Sequence, residues 1–272
     1  MRRWINHRPS LVSRWAMGLV PLLIVLILYA WGSHTRLAEN PNDRLMPNLT
    51  TMVTAMERLA FQEDRRTGQY LFWQDTRASL QRIGLGVGIS AAIGLVVGLL
   101  SGALPLMRAS ASPLVTILSL IPPMAVLPIL FIIFGIGELS KVMLIVIGTA
   151  PFIVRDLQQH TQTIPSEQLI KAQTLSASSW LVIWRVLLPQ VLPRLLMAVR
   201  LSLGTAWLFL IAAEAIAATE GLGYRIFLVR RFMSMEIILP YVIWITTLAF
   251  LLDWSLGRLS QWLFPWYHRG HQ

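Results

Sequence analysis

The chain has 272 residues, of which 55% are hydrophobic and only 13% are charged. An average soluble domain has roughly 25% charged residues, so this composition argues for a membrane protein with several spans. The chain has no cysteine, which excludes disulfides, zinc–thiolate sites and cysteine nucleophiles. Lysine and arginine exceed the acids by 23 to 13, and in so apolar a chain this surplus favours anionic lipid over nucleic acid as a partner.

Six apolar segments are candidate membrane spans, the last three less clearly delimited than the others, and they predict an all-α polytopic fold with six transmembrane helices. The predicted spans cover approximately residues 15–31, 83–107, 112–134, 139–154, 191–213 and 237–256. Around them the chain divides into a tail (1–14), a polar connector (32–81), a five-helix core (82–260) with a loop at 156–190, and a second tail (261–272). Because the number of spans is even, both ends of the chain are expected on one side of the membrane.

The first span follows a basic start, which is also typical of a secretory signal peptide. However, Ala30-Trp31-Gly32 is a poor cleavage site, so an uncleaved membrane helix is the favoured interpretation. The basic residues are Arg2, Arg3, Arg8 and Arg14, and such a cluster favours a cytoplasmic N-terminus.

Two further patterns concern packing. Gly94, Gly98 and Gly102 recur at four-residue intervals in the second span, which predicts a bare helix face that a neighbouring helix approaches closely. In the connector, residues 50–61 have the periodicity of a short amphipathic helix.

The third span is rich in proline. Pro122, Pro123 and Pro128 leave backbone carbonyls without helical partners, and lipid cannot satisfy these groups. The helix is therefore expected to break and to face protein or a water-filled translocation path. The alternative is a bundle helix with harmless kinks, whose carbonyls are satisfied by neighbouring helices.

Charged residues crowd the segment between the fifth and sixth spans, where Glu214, Glu220 and Arg225 are candidates for a path or gate. The alternative is mutual ion pairing within a re-entrant gate helix, because the charges of this segment cancel. Arg225 would steer an anion, whereas Glu214 and Glu220 would suit a cationic or hydrogen-bond-donating solute such as urea or guanidinium. In the last span, Asp253 has two candidate partners. One is Arg258, whose spacing of five residues is poor for an ion pair, and the other is an arginine of a neighbouring helix.

The sequence offers neither an enzyme site nor an energy source. The five histidines lie in tails or loops without metal-binding or catalytic spacing, so no metal site and no catalytic residue are expected. A P-loop of the form G-x-x-x-x-G-K-[ST] is absent from the sequence. No cofactor is therefore expected on this chain, and the energy for its work must come from a partner.

The loop at 156–190 contains the clearest candidate for a protein contact. An amphipathic helix is predicted from about Ser166 to Leu181, with Glu167 in its first turn. Such a helix either lies on lipid or docks in a groove on another protein. The small polar stretch Ser176-Ala177-Ser178-Ser179 favours the groove, because it would anchor poorly in lipid.

The loop keeps the spacing of a known sequence pattern, with Lys171-Ala172-Gln173, Ser176 and Val186-Leu187-Leu188-Pro189 at the corresponding positions. It resembles the cytoplasmic loop of the membrane subunits of binding-protein-dependent ABC importers, in which an acid and two alanines precede a glycine and an I-x-L-P sequence. Lys171 replaces the acid, Gln173 the second alanine and Ser176 the glycine. Glu167 lies one turn upstream, where it can restore the acid.

Further motifs narrow the resemblance to the nitrate, sulfonate and taurine importer permeases. They are Thr76-x-x-Ser79-Leu80-x-Arg82, Ile121 to Pro128, Phe134 to Gly137, Lys141-Val142, Leu188-Pro189-x-x-Leu192-Pro193, Gly204-x-Ala206-Trp207, Ala213-Glu214 and Gly221-Leu222-Gly223. The stretches Ala217 to Glu220 and Tyr224 to Arg231 look similar to permeases encoded beside urea carboxylase.

The resemblance implies a type I ABC importer permease fold in the bacterial inner membrane, with both tails in the cytoplasm and the connector in the periplasm. It also implies a second copy of the chain, two cytoplasmic ATPases that hold ATP and Mg²⁺, and a periplasmic binding protein that delivers the solute. The ATPases would move the loop helix, and Leu188 and Pro189 would pass that motion to the fifth span. The alternative is an ATP-independent secondary transporter or channel, although no matching pair of interrupted segments marks two halves of this chain.

Overall fold

The computed structural model describes residues 10–40, 43–64 and 68–269 of the chain. Within these ranges the structure consists of helices and connecting turns and has no β-strand, as expected for an all-α protein. Most of the predicted N-terminal tail, including Arg2, Arg3 and Arg8, lies outside the described residues. The end of the predicted C-terminal tail (270–272) lies outside them as well.

The helices are numbered in chain order. They are α1 (Leu11–Glu39), α2 (Leu49–Phe61), α3 (Leu71–Ala103), α4 (Pro105–Leu120), α5 (Pro123–Phe134), α6 (Glu138–Gln162), α7 (Ser166–Thr174), α8 (Ser179–Val182), α9 (Leu188–Ala217), α10 (Leu222–Arg230), α11 (Met235–Leu263) and α12 (Pro265–Arg269). A π-helical turn (Ile183–Leu187) joins α8 to α9, so that Ser179–Ala217 is one continuous helix. The second predicted span lies within a longer helix, because α3 begins at Leu71 and includes the last part of the predicted connector.

Four helices of the described residues are long and apolar enough to cross a membrane: α1, α3, the continuous helix Ser179–Ala217, and α11. The pair α4 and α5 passes the same test together but is bent by 98°. The bend lies at Ile121 and Pro122, which have extended backbones, because a proline disfavours helical geometry in the residue before it. The predicted break in the third span is confirmed. Length and composition alone give four or five spans, and the predicted six are not confirmed by them.

The α3 and α6 helices pack against each other in parallel over most of their lengths. Gly86 of α3 lies against Ile145, Gly94 against Ile153, Gly98 against Leu157 and Gly102 against Thr161. A Cβ atom added at Gly98 would lie 2.8 Å from the Leu157 Cβ atom and 2.9 Å from the Val154 carbonyl oxygen. Only glycine permits this approach, so the predicted packing face is confirmed.

The first two helices lie at the edge of this core. Only 6% of the most apolar stretch of α1 is buried, and the Tyr29 hydroxyl donates a hydrogen bond to the Pro47 carbonyl at 2.9 Å. The predicted amphipathic helix at 50–61 is confirmed as α2, whose buried residues are Met52, Ala55, Leu59 and Ala60. α2 packs against α3 and α11, beside an aromatic cluster that includes Phe72 and Trp244, with ring centroids 5.2 Å apart.

Candidate functional site

Buried charges gather at the end of the bundle where α3 and α6 begin. We call the following side chains the charged network: Asp75, Ser79 and Arg82 of α3, Glu138 and Lys141 of α6, Glu214 of α9, Arg225 of α10 and Tyr241 of α11. Asp75 and Glu214 have no exposed surface at all. Charges this deeply buried are stable only when they are paired and hydrogen-bonded, so their partners define the site.

Asp75 binds three groups from two other elements. Its Oδ1 atom accepts a hydrogen bond from the Gly221 amide at 2.9 Å. Its Oδ2 atom accepts from the Arg225 Nε at 2.7 Å and from the Tyr241 hydroxyl at 3.2 Å. One carboxylate on the first turns of α3 therefore joins the start of α10 to α11.

Glu214, near the end of α9, is the second buried carboxylate. Its Oε1 atom accepts from Arg82 Nη1 and from the Ser79 hydroxyl, each at 2.7 Å. Its Oε2 atom accepts from the Gly223 amide at 2.8 Å. With a guanidinium, a hydroxyl and an amide as donors, this carboxylate is fully satisfied inside the protein.

Arg82 joins the network to α6. Its Nη2 atom donates to Glu138 at 2.8 Å, and Lys141 Nζ donates to the same carboxylate at 2.8 Å. Glu138 lies before the apolar part of α6, and its side chain is 63% exposed. The hydrogen bonds from Arg82 hold the pKa of the Glu138 carboxyl at about 2, well below its ordinary value.

The short segment Glu220–Gly223, which follows α9 and includes the first two residues of α10, is hereafter the bound turn. Gly221 has a φ of 128°, a conformation that side chains disfavour, and an added Cβ atom would lie 2.6 Å from Glu214 Oε1. A Cβ atom at Gly223 would lie 2.7 Å from the Ile211 carbonyl oxygen. The two glycines are therefore needed so that the backbone can approach the buried carboxylates.

The three charged residues predicted for a path or gate are not paired with one another. Glu214 binds Arg82, and Arg225 binds Asp75, so each finds its counter-charge on α3. The side chain of Glu220 accepts from Gln74 Nε2 of α3 at 2.7 Å. The predicted prolines lie on another element, at the bend between α4 and α5 and within α5.

At the opposite end of the bundle, two ion pairs join neighbouring helices. Arg194 of α9 donates from Nε to Asp156 of α6 at 2.8 Å. Arg200 of α9 donates from both Nε and Nη2 to Asp253 of α11, each at 2.8 Å. The expectation that Asp253 pairs with an arginine of a neighbouring helix is confirmed.

The loop helix beyond this end is shorter than predicted. The prediction of one helix from Ser166 to Leu181 is wrong, because α7 ends at Thr174 and a new helix begins at Ser179. Ser176 has a φ of 62°, and its amide donates to the Gln173 carbonyl, while the Ala177 amide donates to the Ala172 carbonyl. These two bonds form a Schellman motif, which usually has glycine at the left-handed position.

α7 projects from the bundle and has no buried side chain. Glu167, Lys171, Gln173 and Ser176 are exposed, Ala172 is half-buried, and Leu175 is 83% exposed at the tip. Behind α7 lies a cavity of about 400 Å³, lined in part by Gly102, Arg108 and Leu169. The segment therefore presents an uncovered surface and is not packed tightly against the core.

Leu188 and Pro189 lie where this segment enters the bundle. Pro189 has no amide hydrogen, so it cannot bond the Arg185 carbonyl in the usual helical pattern. The Leu188 amide instead donates to the Ile183 carbonyl, five residues back, which produces the π-helical turn. Both residues are half-buried against the bundle.

A family model described as "Binding-protein-dependent transport system inner membrane component" matches residues 90–265, which is more than half of the chain. The chain belongs to this family. It is similar to the taurine transport system permease protein TauC of Escherichia coli strain K12, with 36% identity over 72% of this chain and 71% of TauC. It is also similar to the bicarbonate transport system permease protein CmpB of Synechococcus elongatus, with 29% identity over 95% of each chain.

Among solved structures, the MetNI methionine ABC transporter in inward-facing conformations has a TM-score of 0.62 with this chain. The identity is 23%, and the match covers 71% of this chain and 96% of the other. At that identity the comparison concerns the fold alone, which is that of an ABC transporter permease. As a member of the family, the chain is a multi-pass inner membrane permease subunit of an ABC transporter and not an enzyme.

In this permease, the sequence interpretation missed Asp75 as a functional candidate. It treated the residue as part of a solvated connector, because Asp75 precedes the apolar run of the second span. The available signal was the spacing of Asp75, Ser79 and Arg82, which places three polar side chains on one face of a helix. A polar face at the start of a membrane helix needs partners inside the protein, and here they are Glu214 and the bound turn.

Proposed function

We propose that the protein is the path-forming subunit of an ATP-driven importer. In this proposal two copies of the chain enclose the path, two cytoplasmic ATPase subunits dock on them, and a periplasmic binding protein delivers the solute. Family membership supports the general assignment. The observation that carries the coupling role is α7, a helix with no buried side chain that leads through the π-helical turn into α9.

The parallel packing of α3 and α6 supports six crossings. From Arg82 to Gly102, α3 rises by about 30 Å at 1.5 Å per residue, which matches the hydrocarbon thickness of a bilayer. α6 follows it in register from Glu138 to Thr161. Because both helices run in the same direction, α4 and α5 together must return across the membrane. With α1, α9 and α11 the chain then crosses six times, and both termini lie in the cytoplasm with α7.

We place the contact with the ATPase on the exposed side chains of Glu167, Lys171 and Gln173 in α7 and of Ser176 in the turn that follows it, with Ala172 supporting this turn. Leu188 and Pro189 would transmit movement of α7, because the continuous helix Ser179–Ala217 extends from them across the membrane. ATP and Mg²⁺ would be bound by the ATPase, and this chain would need no cofactor.

The path is proposed to run along the broken span of α4 and α5, where Pro122, Pro123 and Pro128 have no amide hydrogen to donate to the carbonyl four residues back. Such carbonyls are tolerated at membrane depth where they face protein or water, and a polar solute can use them. Glu214, Glu220 and Arg225 would then lie around the outer end of this path.

The relatives favour a small solute with an oxyanion group, because taurine carries a sulfonate and bicarbonate a carboxylate-like group. The sequence argument for a cationic solute relied on Glu214 and Glu220 as free acids. Glu214 is fully paired with Arg82, and Glu220 is bound by Gln74, so neither supports that alternative. Arg225 is likewise paired with Asp75 and gives no support to an anion.

The first experiment is affinity purification of the tagged chain from native membranes, followed by an ATPase assay. A co-purifying nucleotide-binding subunit with vanadate-sensitive ATPase activity is the expected result. A lone oligomer without ATPase activity would contradict the proposal and favour a channel or secondary transporter. Uptake of labelled taurine, bicarbonate and urea by membrane vesicles, to which the periplasmic binding protein encoded with this permease is added, then tests the solute class.

The docking surface has its own test. Ser176→Arg places a bulky charge at the exposed end of α7, and it should abolish co-purification of the ATPase subunit while the permease remains in the membrane. Thr163→Arg, on an exposed residue before α7, is the matched control and should retain the ATPase. Equal retention by both variants would contradict docking on α7.

A further inference from the structure

The bound turn is attached to the rest of the protein at four successive backbone groups. The Glu220 carbonyl accepts from Arg82, and the amides of Gly221, Leu222 and Gly223 donate to Asp75, Ser79 and Glu214 respectively. All four bonds measure 2.8 or 2.9 Å. Three of the four partner side chains belong to α3. The turn is therefore attached to α3 by hydrogen bonds, in addition to its covalent connection to α9 and α10.

The two carboxylates that accept bonds from the bound turn are also bonded to other groups of the protein. Asp75 and Glu214 are fully buried, and each also neutralises an arginine. If the bound turn moved away from α3, both carboxylates would lose amide donors in a place that water does not reach. Separation is therefore opposed by hydrogen bonding, by charge pairing and by burial at the same time.

We infer that Asp75, Ser79 and Arg82 are positioning residues that keep the bound turn attached to α3 throughout the transport cycle. Asp75 and Glu214 consequently balance charges within the protein and do not contact the solute. The proposed transport function is a premise of this inference, because it concerns which walls of the path move. The moving wall is then the broken span of α4 and α5, whose α5 segment has no polar side chain.

The absence of cysteine in the chain permits a direct test by cross-linking. The side chains of Gln74 and Glu220 are both half-buried and touch at 2.7 Å at the edge of the bound turn. The double variant Gln74→Cys with Glu220→Cys is reconstituted in vesicles with the co-purified ATPase, and the binding protein encoded with this permease is added. A short bifunctional methanethiosulfonate then links the two cysteines, and ATP turnover and taurine uptake are compared before linking, after linking and after reduction.

Equal turnover in the linked and unlinked states of this variant is the expected result, because the two residues stay together. Loss of turnover on linking that reduction restores would overturn the inference. The single variants, treated with the same reagent, control for modification of one cysteine. If the complex that contains the original, cysteine-free chain shows no ATP-dependent turnover at all, the proposed transport function is contradicted, and the inference that rests on it is contradicted as well.

A second test concerns contact with the solute and does not depend on cross-linking. Asp75→Asn leaves Arg225 without its counter-charge and should abolish turnover. Adding Arg225→Gln removes the unpaired charge and should restore most of the turnover that Asp75→Asn lost, with the preference between taurine and urea unchanged. A double variant as defective as the single Asp75→Asn, or with altered preference, would mean that these charges act on the solute.

Discussion

The bound turn and α5 both approach the end of the bundle where the charged network lies, yet they are held in different ways. The bound turn is fixed by directional hydrogen bonds to Asp75, Ser79, Arg82 and Glu214. α5 has no polar side chain and is held by apolar packing through Leu127 and Leu130, which are 2% and 3% exposed. Apolar contacts are non-directional, so they allow sliding that a network of charges forbids.

In the proposed transport cycle this difference would give separate tasks to the bound turn and to α5, whose charged residues and prolines were both predicted to belong to a path or gate. A transporter needs a rigid wall against which another wall moves, because alternating access requires that one contact breaks while the rest of the protein keeps its shape. Directional hydrogen bonds and ion pairs suit the rigid wall. Apolar packing with proline-weakened backbone bonds suits the moving one.

The largest expected effect comes from Arg82→Leu. Glu214 and Glu138 would lose their shared guanidinium, and removal of one partner from a buried pair costs roughly 3–5 kcal/mol. Loss of folded permease in detergent, measured by thermal denaturation and size-exclusion chromatography, is the expected outcome. Arg36→Leu is the matched control, since Arg36 pairs with Asp43 at the surface and exposed pairs contribute about 0–1 kcal/mol. Similar losses from both variants would contradict a special role for the network.

The contact between α3 and α6 should give the next largest effect. In Gly98→Ala the new methyl group meets the Leu157 side chain and the rigid Val154 carbonyl, and overpacking of this kind costs typically about 1–3 kcal/mol. Gly88→Ala is the control, because nothing lies within 4 Å of its added Cβ atom. A lower melting temperature for Gly98→Ala alone is expected. Alanine at an open helical position lowers the entropy of the unfolded chain and should be neutral or stabilising, so an equal loss of stability in Gly88→Ala would contradict the assignment to close packing.

Pro128→Ala tests the proposed flexibility of α5. Proline in a helix interior costs about 3 kcal/mol, so alanine should leave the melting temperature unchanged or raise it. Restoring the backbone bond to the Met124 carbonyl would stiffen α5, and ATP-driven uptake should fall several-fold. Pro240→Ala, in α11, should not reduce uptake. Normal uptake by Pro128→Ala would mean that α5 does not need its weakened backbone.

Sequence patterns anticipated the elements whose cause is local. The glycine repeat predicted the α3 packing face, the prolines predicted the break between α4 and α5, and the family motifs predicted the permease fold. The partners of the buried charges were beyond reach, because Asp75 and Arg225 are far apart in the chain and only tertiary packing brings them together. The early end of α7 was not predicted because a serine, unlike a glycine, does not indicate a left-handed turn at the end of a helix.

That turn gives the smallest and most local prediction. A non-glycine residue in the left-handed region costs roughly 1–2 kcal/mol, so Ser176→Gly should relieve strain at the end of α7. The ATPase subunit should co-purify as well as before or better. Ser176→Val should do the opposite, because a β-branched residue fits this conformation poorly and would free the Gln173 and Ala172 carbonyls. Neither change touches the charged network, so stability of the bundle should not differ between the two variants, and docking alone should respond. A change in bundle stability would mean that α7 is part of the core and not a separate lever.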